Sequence, residues 1–246
     1  MPASSNGMWS IARSSPAEVQ DADWPWPLVV AVDRRARRLK LRLDTRRRRL
    51  VLTCPPRTSR RAALKWAADQ RDWASGEIAR IPAGEPFAPG AVIPFCGGEL
   101  TLAWDPAAPR NAILFNGTLT CGGPRENFES RIHRSVRSIA LKLLSDDTAE
   151  FAERAGVTVT AVTVGDADTR WGSCSASGAI RYNWRLVLAP PQVRRWVVAH
   201  EVAHRRHMNH GPAFKALEAQ LFEGDVAAAR SELRRIAPRL KGIGRL

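Results

Sequence analysis

Hydrophobic and polar positions along the 246-residue chain change period several times. Leu28-Val29-Val30-Ala31-Val32 is a short continuous apolar run and predicts a strand. Leu39, Leu41 and Leu43 alternate with Lys40 and Arg42, the period-2 pattern of a half-buried strand. A turn over Asp44–Arg49 then leads to a third strand at Leu50–Leu52. Ser59 is placed to cap a helix reaching Ile81 and broken by Pro82, with Leu64, Ala67, Ala68 and Ile78 on one stripe. Short strands follow at Ile93–Phe95 and Glu99–Trp104, joined through Gly97-Gly98. Asn116-Gly117 between Ile113-Leu114-Phe115 and Leu119-Thr120-Cys121 is the strongest hairpin signal in the chain, because both central positions of a tight hairpin turn need positive φ.

A long helix is predicted from Glu126 to Ala155, ended by Gly156, with Phe128, Ile132, Val136, Ile139 and Leu143 facing inward. Val157–Val164 reads as a strand. Arg170–Cys174, a turn at Ser177-Gly178, and Ile180–Leu188 read as a hairpin. Pro190-Pro191 opens an apolar helix through Val193, Trp196, Val197, Val198 and Ala199, and a further helix is predicted from Pro212 to Phe222. The first 23 residues, rich in Ser, Ala and Pro, read as a disordered tail. The pattern gives an α+β fold: a tail over 1–23, a β-rich region with one helix over 24–122, and a helix-rich domain over 123–246 whose central helix packs on a small antiparallel sheet. No internal repeat stands out in the sequence.

Chemistry concentrates on the helix that follows the hairpin. Four of the five histidines lie between His200 and His210. His200-Glu201-Val202-Ala203-His204 is an H-E-x-x-H motif, which puts two imidazoles on one face of a helix as ligands for one zinc ion and leaves Glu201 as acid/base for its water. A catalytic zinc takes three protein ligands. His210, six residues beyond His204, is the preferred third ligand, and Asn209 suits the turn that brings it back. The His204–His210 spacing matches H-E-x-x-H-x-x-G-x-x-H, but His207 stands at the glycine. Glu218 on the next helix is the competing third ligand. His207 reads as a supporting or surface residue and His133 as a solvated one. Arg170, Tyr182, Asn183 and Arg185 are the candidates for stabilising an oxyanion, and the hairpin is placed to pair with an extended peptide. Cys174 reads as a packing residue close to the metal.

Composition narrows this picture a little. A net charge of +14 and a pI near 11.1 favour acidic partners, or are a solvated consequence of an Arg-rich composition. Ten basic residues between Arg34 and Arg49 make a candidate face for nucleic acid or nucleotide, although no aromatic residue is interleaved for base stacking. The four cysteines form no C-x-x-C. Nine tryptophans accompany a single tyrosine, and buried packing accounts for them. No long apolar segment marks a signal peptide or a membrane span, so a cytoplasmic protein is expected.

Arg170-Trp171-Gly172-Ser173-Cys174-Ser175, Tyr182-Asn183-Trp184-Arg185-Leu186, the H-E-x-x-H segment, and Asn209-His210-Gly211-Pro212-Ala213-Phe214 together resemble the YgjP-like metallopeptidases, which are related to the SprT-like and WLM zincins. Gly211 departs from the serine usual after the third histidine. The resemblance spans about residues 28–240. It implies a zincin fold, His200, His204 and His210 on zinc, Glu201 as acid/base, and a peptide or protein substrate. Two other functions stay open at this stage: a metal-dependent nucleoside triphosphate pyrophosphatase, and a DNA-associated SprT-like protease.

Overall fold

The computed structural model describes residues 17–19, 24–45, 47–80 and 84–245. The expected tail over 1–23 lies outside the described residues except for Ala17–Val19, which form a strand. The chain divides into two compact units after Pro82. The division anticipated at 122/123 differs from this one, because the strands between residues 92 and 121 bury Ile93, Leu100, Leu102 and Leu119 in the same core as the long helix.

In the first unit, β1 (Ala17–Val19), β2 (Leu28–Val32), β3 (Lys40–Asp44) and β4 (Arg49–Cys54) form a sheet of order β1-β2-β4-β3. Leu41 is buried between exposed Lys40 and Arg42, as the alternation requires. The single helix expected from Ser59 is two, α1 (Arg60–Ala68) and α2 (Arg71–Ala79), and Ser59 caps the first by accepting from the Ala62 amide at 3.2 Å. Leu28, Val30, Leu50, Leu52, Ala63 and Ala67 form the core of this unit. Arg34, Arg35, Arg37 and Arg38 are exposed, while Arg49 pairs with Asp44 at 2.9 Å.

The second unit begins with β5 (Val92–Phe95), β6 (Gly98–Trp104), β7 (Ile113–Phe115) and β8 (Thr118–Cys121), in the order β5-β6-β8-β7. Asn116 and Gly117 turn β7 into β8 with φ of 45° and 71°, the positive pair that the Asn-Gly signal anticipated. This sheet repeats the topology of the first. In each, the outer pairs are antiparallel and the central pair is parallel. The repeat extends to detail: Asp33 and Asp105 donate their amides to Cys54 and Cys121 carbonyls at 3.0 and 3.2 Å. Their carboxylates accept from Arg35 and Ala107 amides at 2.8 and 2.9 Å. The repeat expected to be absent is therefore present as topology, with little more than Leu-Thr-Cys and the aspartate shared in sequence.

Helix α3 (Phe128–Ala155) presents Phe128, Ile132, Val136, Ala140 and Leu144 at strict i+4 spacing, all buried, and ends at left-handed Gly156. Strands β9 (Ala161–Gly165), β10 (Gly172–Cys174) and β11 (Ala179–Asn183) make a sheet of order β10-β11-β9. The sheet is mixed rather than antiparallel. After β9 the chain crosses to the far edge to form β10, so the returning β11 lies between them, antiparallel to β10 and parallel to β9. The second half of the expected strand, Trp184–Leu188, is instead a fully buried 3-10 turn. It leads into α4 (Pro191–Ala203), whose Val193, Val197, Val198, Ala199 and Val202 are buried. Asp147 of α3 pins α4 by accepting from Arg194 Nε at 2.7 Å and Arg195 at 3.1 Å. Two further helices complete the unit, α5 (Pro212–Phe222) and α6 (Val226–Gly242). No described helix is long and apolar enough to cross a membrane, and all four cysteines are free thiols.

Candidate metal centre

His200 and Glu201 occupy the last turn of α4, and His204 is its C-cap. The chain then turns through short-range bonds, with the Arg205 amide donating to Val202 and the His207 amide to Ala203. Asn209 does not take the left-handed conformation expected of it, since these tight bonds already reverse the chain. The turn delivers His210, and one nitrogen from each of His200, His204 and His210 lies within 4.8 Å of the others. The Phe214 ring from α5 packs against all three imidazoles, with centroid distances of 5.0, 4.6 and 4.7 Å.

Hydrogen bonds on the far side of the rings fix their chemistry. His204 Nδ1 lies 3.0 Å from the His207 carbonyl oxygen, which can only accept, so Nδ1 carries the proton. Glu218 Oε1 lies 2.9 Å from His200 Nδ1 and 2.9 Å from the Trp196 indole nitrogen. Burial raises the Glu218 pKa, but the bonds from His200 and Trp196 and the charges of His200 and Arg230 outweigh it, leaving the carboxylate ionised and accepting. With both Nδ1 atoms carrying the proton shared with their acceptors, Nε2 is the nitrogen that His200 and His204 have left to offer a metal. Burial, the largest influence on His204, holds its pKa below the ordinary value and favours its neutral form. His200 Nε2 and His210 Nε2 are 3.2 Å apart, a contact that a proton or a cation between them satisfies. The donor set fits a three-imidazole metal site in which two of the rings, His200 and His204, are oriented from behind.

Glu201 follows His200 on α4, lies against Gly172 of β10 and is 6% exposed. Burial pushes its carboxyl pKa up to about 7, against the opposing charges of His200 and Arg170. A carboxyl poised there can hold or release a proton near neutrality.

The other sequence candidates separate clearly. Glu218 supports His200 rather than joining the three-nitrogen cluster. His207 contributes its carbonyl, with its ring outside the cluster. His133 is half-buried against Trp184 and Phe87 rather than solvated. Tyr182 is buried against Thr148 at 3.0 Å, Asn183 caps the Arg185 amide, and Arg185 is buried on Asp166 and the Ile243 carbonyl. Those three are occupied structurally, whereas Arg170 is exposed and its charge acts on Glu201. Cys174 is half-buried on β10 and its thiol lies 3.6 Å from the Ser175 carbonyl. Gly172 was missed by sequence reading. A Cβ there would lie 2.6 Å from Glu201 Cγ, so the bare α-carbon makes room for the acid.

The family model described as YgjP-like, metallopeptidase domain, matches residues 37–236. The chain belongs to the YgjP-like metallopeptidase family. It is thus a hydrolase of a metal-dependent peptidase family, and membership implies a metal ion and a peptide or protein substrate. No curated protein matches the chain. A solved structure, the crystal structure of the metallopeptidase zymogen of Pyrococcus abyssi abylysin, is 18% identical, covers 40% of this chain and 95% of that chain, and has a TM-score of 0.35.

Proposed function

We propose that the protein is a zinc peptidase in which His200, His204 and His210 hold one zinc ion and Glu201 is the general acid/base. The observation that carries this reading is the convergence of the three imidazoles, two of them turned by acceptors behind their Nδ1 atoms, beside a buried glutamate. Three nitrogen donors leave room for water and substrate, as catalytic rather than structural zinc sites do. Zinc bound there supplies Lewis-acid charge that lowers the pKa of water and polarises a scissile carbonyl. Glu201 takes the water's proton on its carboxylate and returns it to the leaving amine. Arg170, exposed and acting electrostatically on Glu201, is the remaining candidate for neutralising developing negative charge. Among the described residues β10 is an edge strand of its sheet, the position at which an extended peptide adds main-chain bonds.

The direct test measures metal content and hydrolysis together on purified protein, with unfolded casein and a mixed peptide library. The expected result is about one zinc per chain, cleavage at peptide bonds, loss of cleavage on chelation, and its return with zinc. Metal-loaded protein that cleaves neither substrate contradicts the proposal.

A further inference from the structure

Beside the metal centre lies a cleft of about 560 Å³ whose lining includes Trp171, Trp196, Arg230, Leu233, Arg234 and Lys241. Its two aromatic walls tie it to the site. Trp171 directly precedes Gly172, whose α-carbon lies against Glu201. Trp196 stands one helical turn before His200, with ring centroids 6.1 Å apart, and its indole bonds the same Glu218 oxygen that orients His200. Each wall also carries a cation: Arg230 lies 5.6 Å from the Trp196 ring centre and Lys241 lies 5.8 Å from that of Trp171. Arg234 is the third cation, one turn of α6 beyond Arg230.

The Arg230 charge acts on Glu218 and the Lys241 charge interacts with Asp168, but among the described residues neither arginine of the cleft is held in an ion pair. Among the described residues, no carboxylate lies within ion-pair distance of Arg230 or Arg234, although other α6 cations are paired, Arg235 with Glu232 and Arg239 with Glu85. Lys241 donates one N–H to the Asp168 carbonyl at 2.7 Å, which leaves two donors. Apolar walls and a Leu233 floor strengthen electrostatic attraction by displacing water, and guanidinium groups bind carboxylates with directional paired bonds.

We infer that this cleft is a carboxylate subsite that selects substrates bearing an acidic side chain or a chain-terminal carboxylate next to the scissile bond. The inference rests on the peptidase reading for its place in catalysis, but the binding it requires is measurable without any turnover. The tryptophan indole N–H signals of the full chain are followed by NMR during titration with three probes. N-acetylglutamic acid α-amide offers a side-chain carboxylate, N-acetylglutamine offers a main-chain carboxylate, and N-acetylglutamine amide offers neither. The Trp171 and Trp196 signals are expected to shift saturably with one or both carboxylates and not with the neutral amide; the carboxylate that shifts them identifies the source. The double substitution Arg230→Glu with Arg234→Glu, at exposed positions, should abolish the shifts while its thermal melt confirms folding. In parallel, quenched peptides that differ only by Glu or Gln beside the cleaved bond, or only by a free or amidated C-terminus there, should differ about tenfold in kcat/KM for the carboxylate that shifts the signals, with the wild type and not with the double variant.

Absent shifts with both carboxylate probes, or shifts that survive charge reversal, overturn the subsite. Carboxylate binding without any peptide cleavage supports the subsite and removes the peptidase reading instead. Cleavage with no preference and no shift does the reverse.

Discussion

Gly172 leaves the space that Glu201 fills. A methyl group on Gly172 would sit 2.6 Å from Glu201 Cγ and 2.7 Å from its Cδ, well inside contact distance. Glu201 is the flexible partner, so Gly172→Ala should displace the carboxylate more than it unfolds the chain. Hydrolysis is expected to fall about a hundredfold, as a displacement on the order of 1 Å can cause, with metal content unchanged. Unaltered turnover in Gly172→Ala would show that this contact does not hold the acid in place.

Glu218 is expected to act through His200. Its one oxygen accepts from both His200 Nδ1 and the Trp196 indole. Glu218→Gln should therefore weaken metal affinity by about 10- to 100-fold while allowing full occupancy at saturating metal. A competition titration against a chelator reads this directly. Full loss of stoichiometry would instead make Glu218 a ligand.

The turn after α4 makes two neighbouring histidines separable. His210→Ala should abolish stoichiometric zinc, because it removes one of three converging nitrogens. His207→Ala should retain it, because His207 acts through its backbone carbonyl. Metal analysis of the two variants side by side gives opposite results if these roles are right and equal results if they are not.

Much of this was readable in the chain because it is local. The i,i+4 pairing of His200 and His204, the Asn116-Gly117 turn and the glycine stop at Gly156 each depend on a few adjacent residues. That His210 lies with His200 and His204 was suggested by its spacing and by imidazole being a common ligand. The missed features join distant segments. Glu218 was visible as a rival ligand, yet only the packing of α5 on α4 turns it toward the back of His200. The parallel pairing of β9 with β11 leaves no mark in alternation, which looks the same in either sense. Gly172 read as an ordinary strand residue because its constraint comes from a helix nearly thirty positions later. Arg185 and Asn183 looked like active-site polar residues, and it is burial against Ile243 and Ala167 that commits them to structure.

Tyr182 is the only tyrosine and offers a clean probe of the core beneath the site. Burial pushes its phenol pKa above the ordinary value of 10.0, outweighing the hydrogen bond with Thr148. The folded state therefore keeps the proton that the unfolded chain loses. The associated stability is complete below pH about 10 and declines as pH rises beyond it. Absorbance at alkaline pH should show tyrosinate appearing together with loss of circular dichroism. Tyrosinate forming near pH 10 in protein that remains folded would contradict the buried placement.

The decisive measurement is hydrolysis and zinc content of Glu201→Gln beside the wild type. The substitution preserves shape in the pocket against Gly172 and removes only the titrating oxygen. Zinc should remain at the wild-type stoichiometry while peptide hydrolysis falls by about a thousandfold. A zinc-loaded Glu201→Gln protein that cleaves peptides at the wild-type rate would contradict the role of Glu201 and, with it, the mechanism proposed for this site.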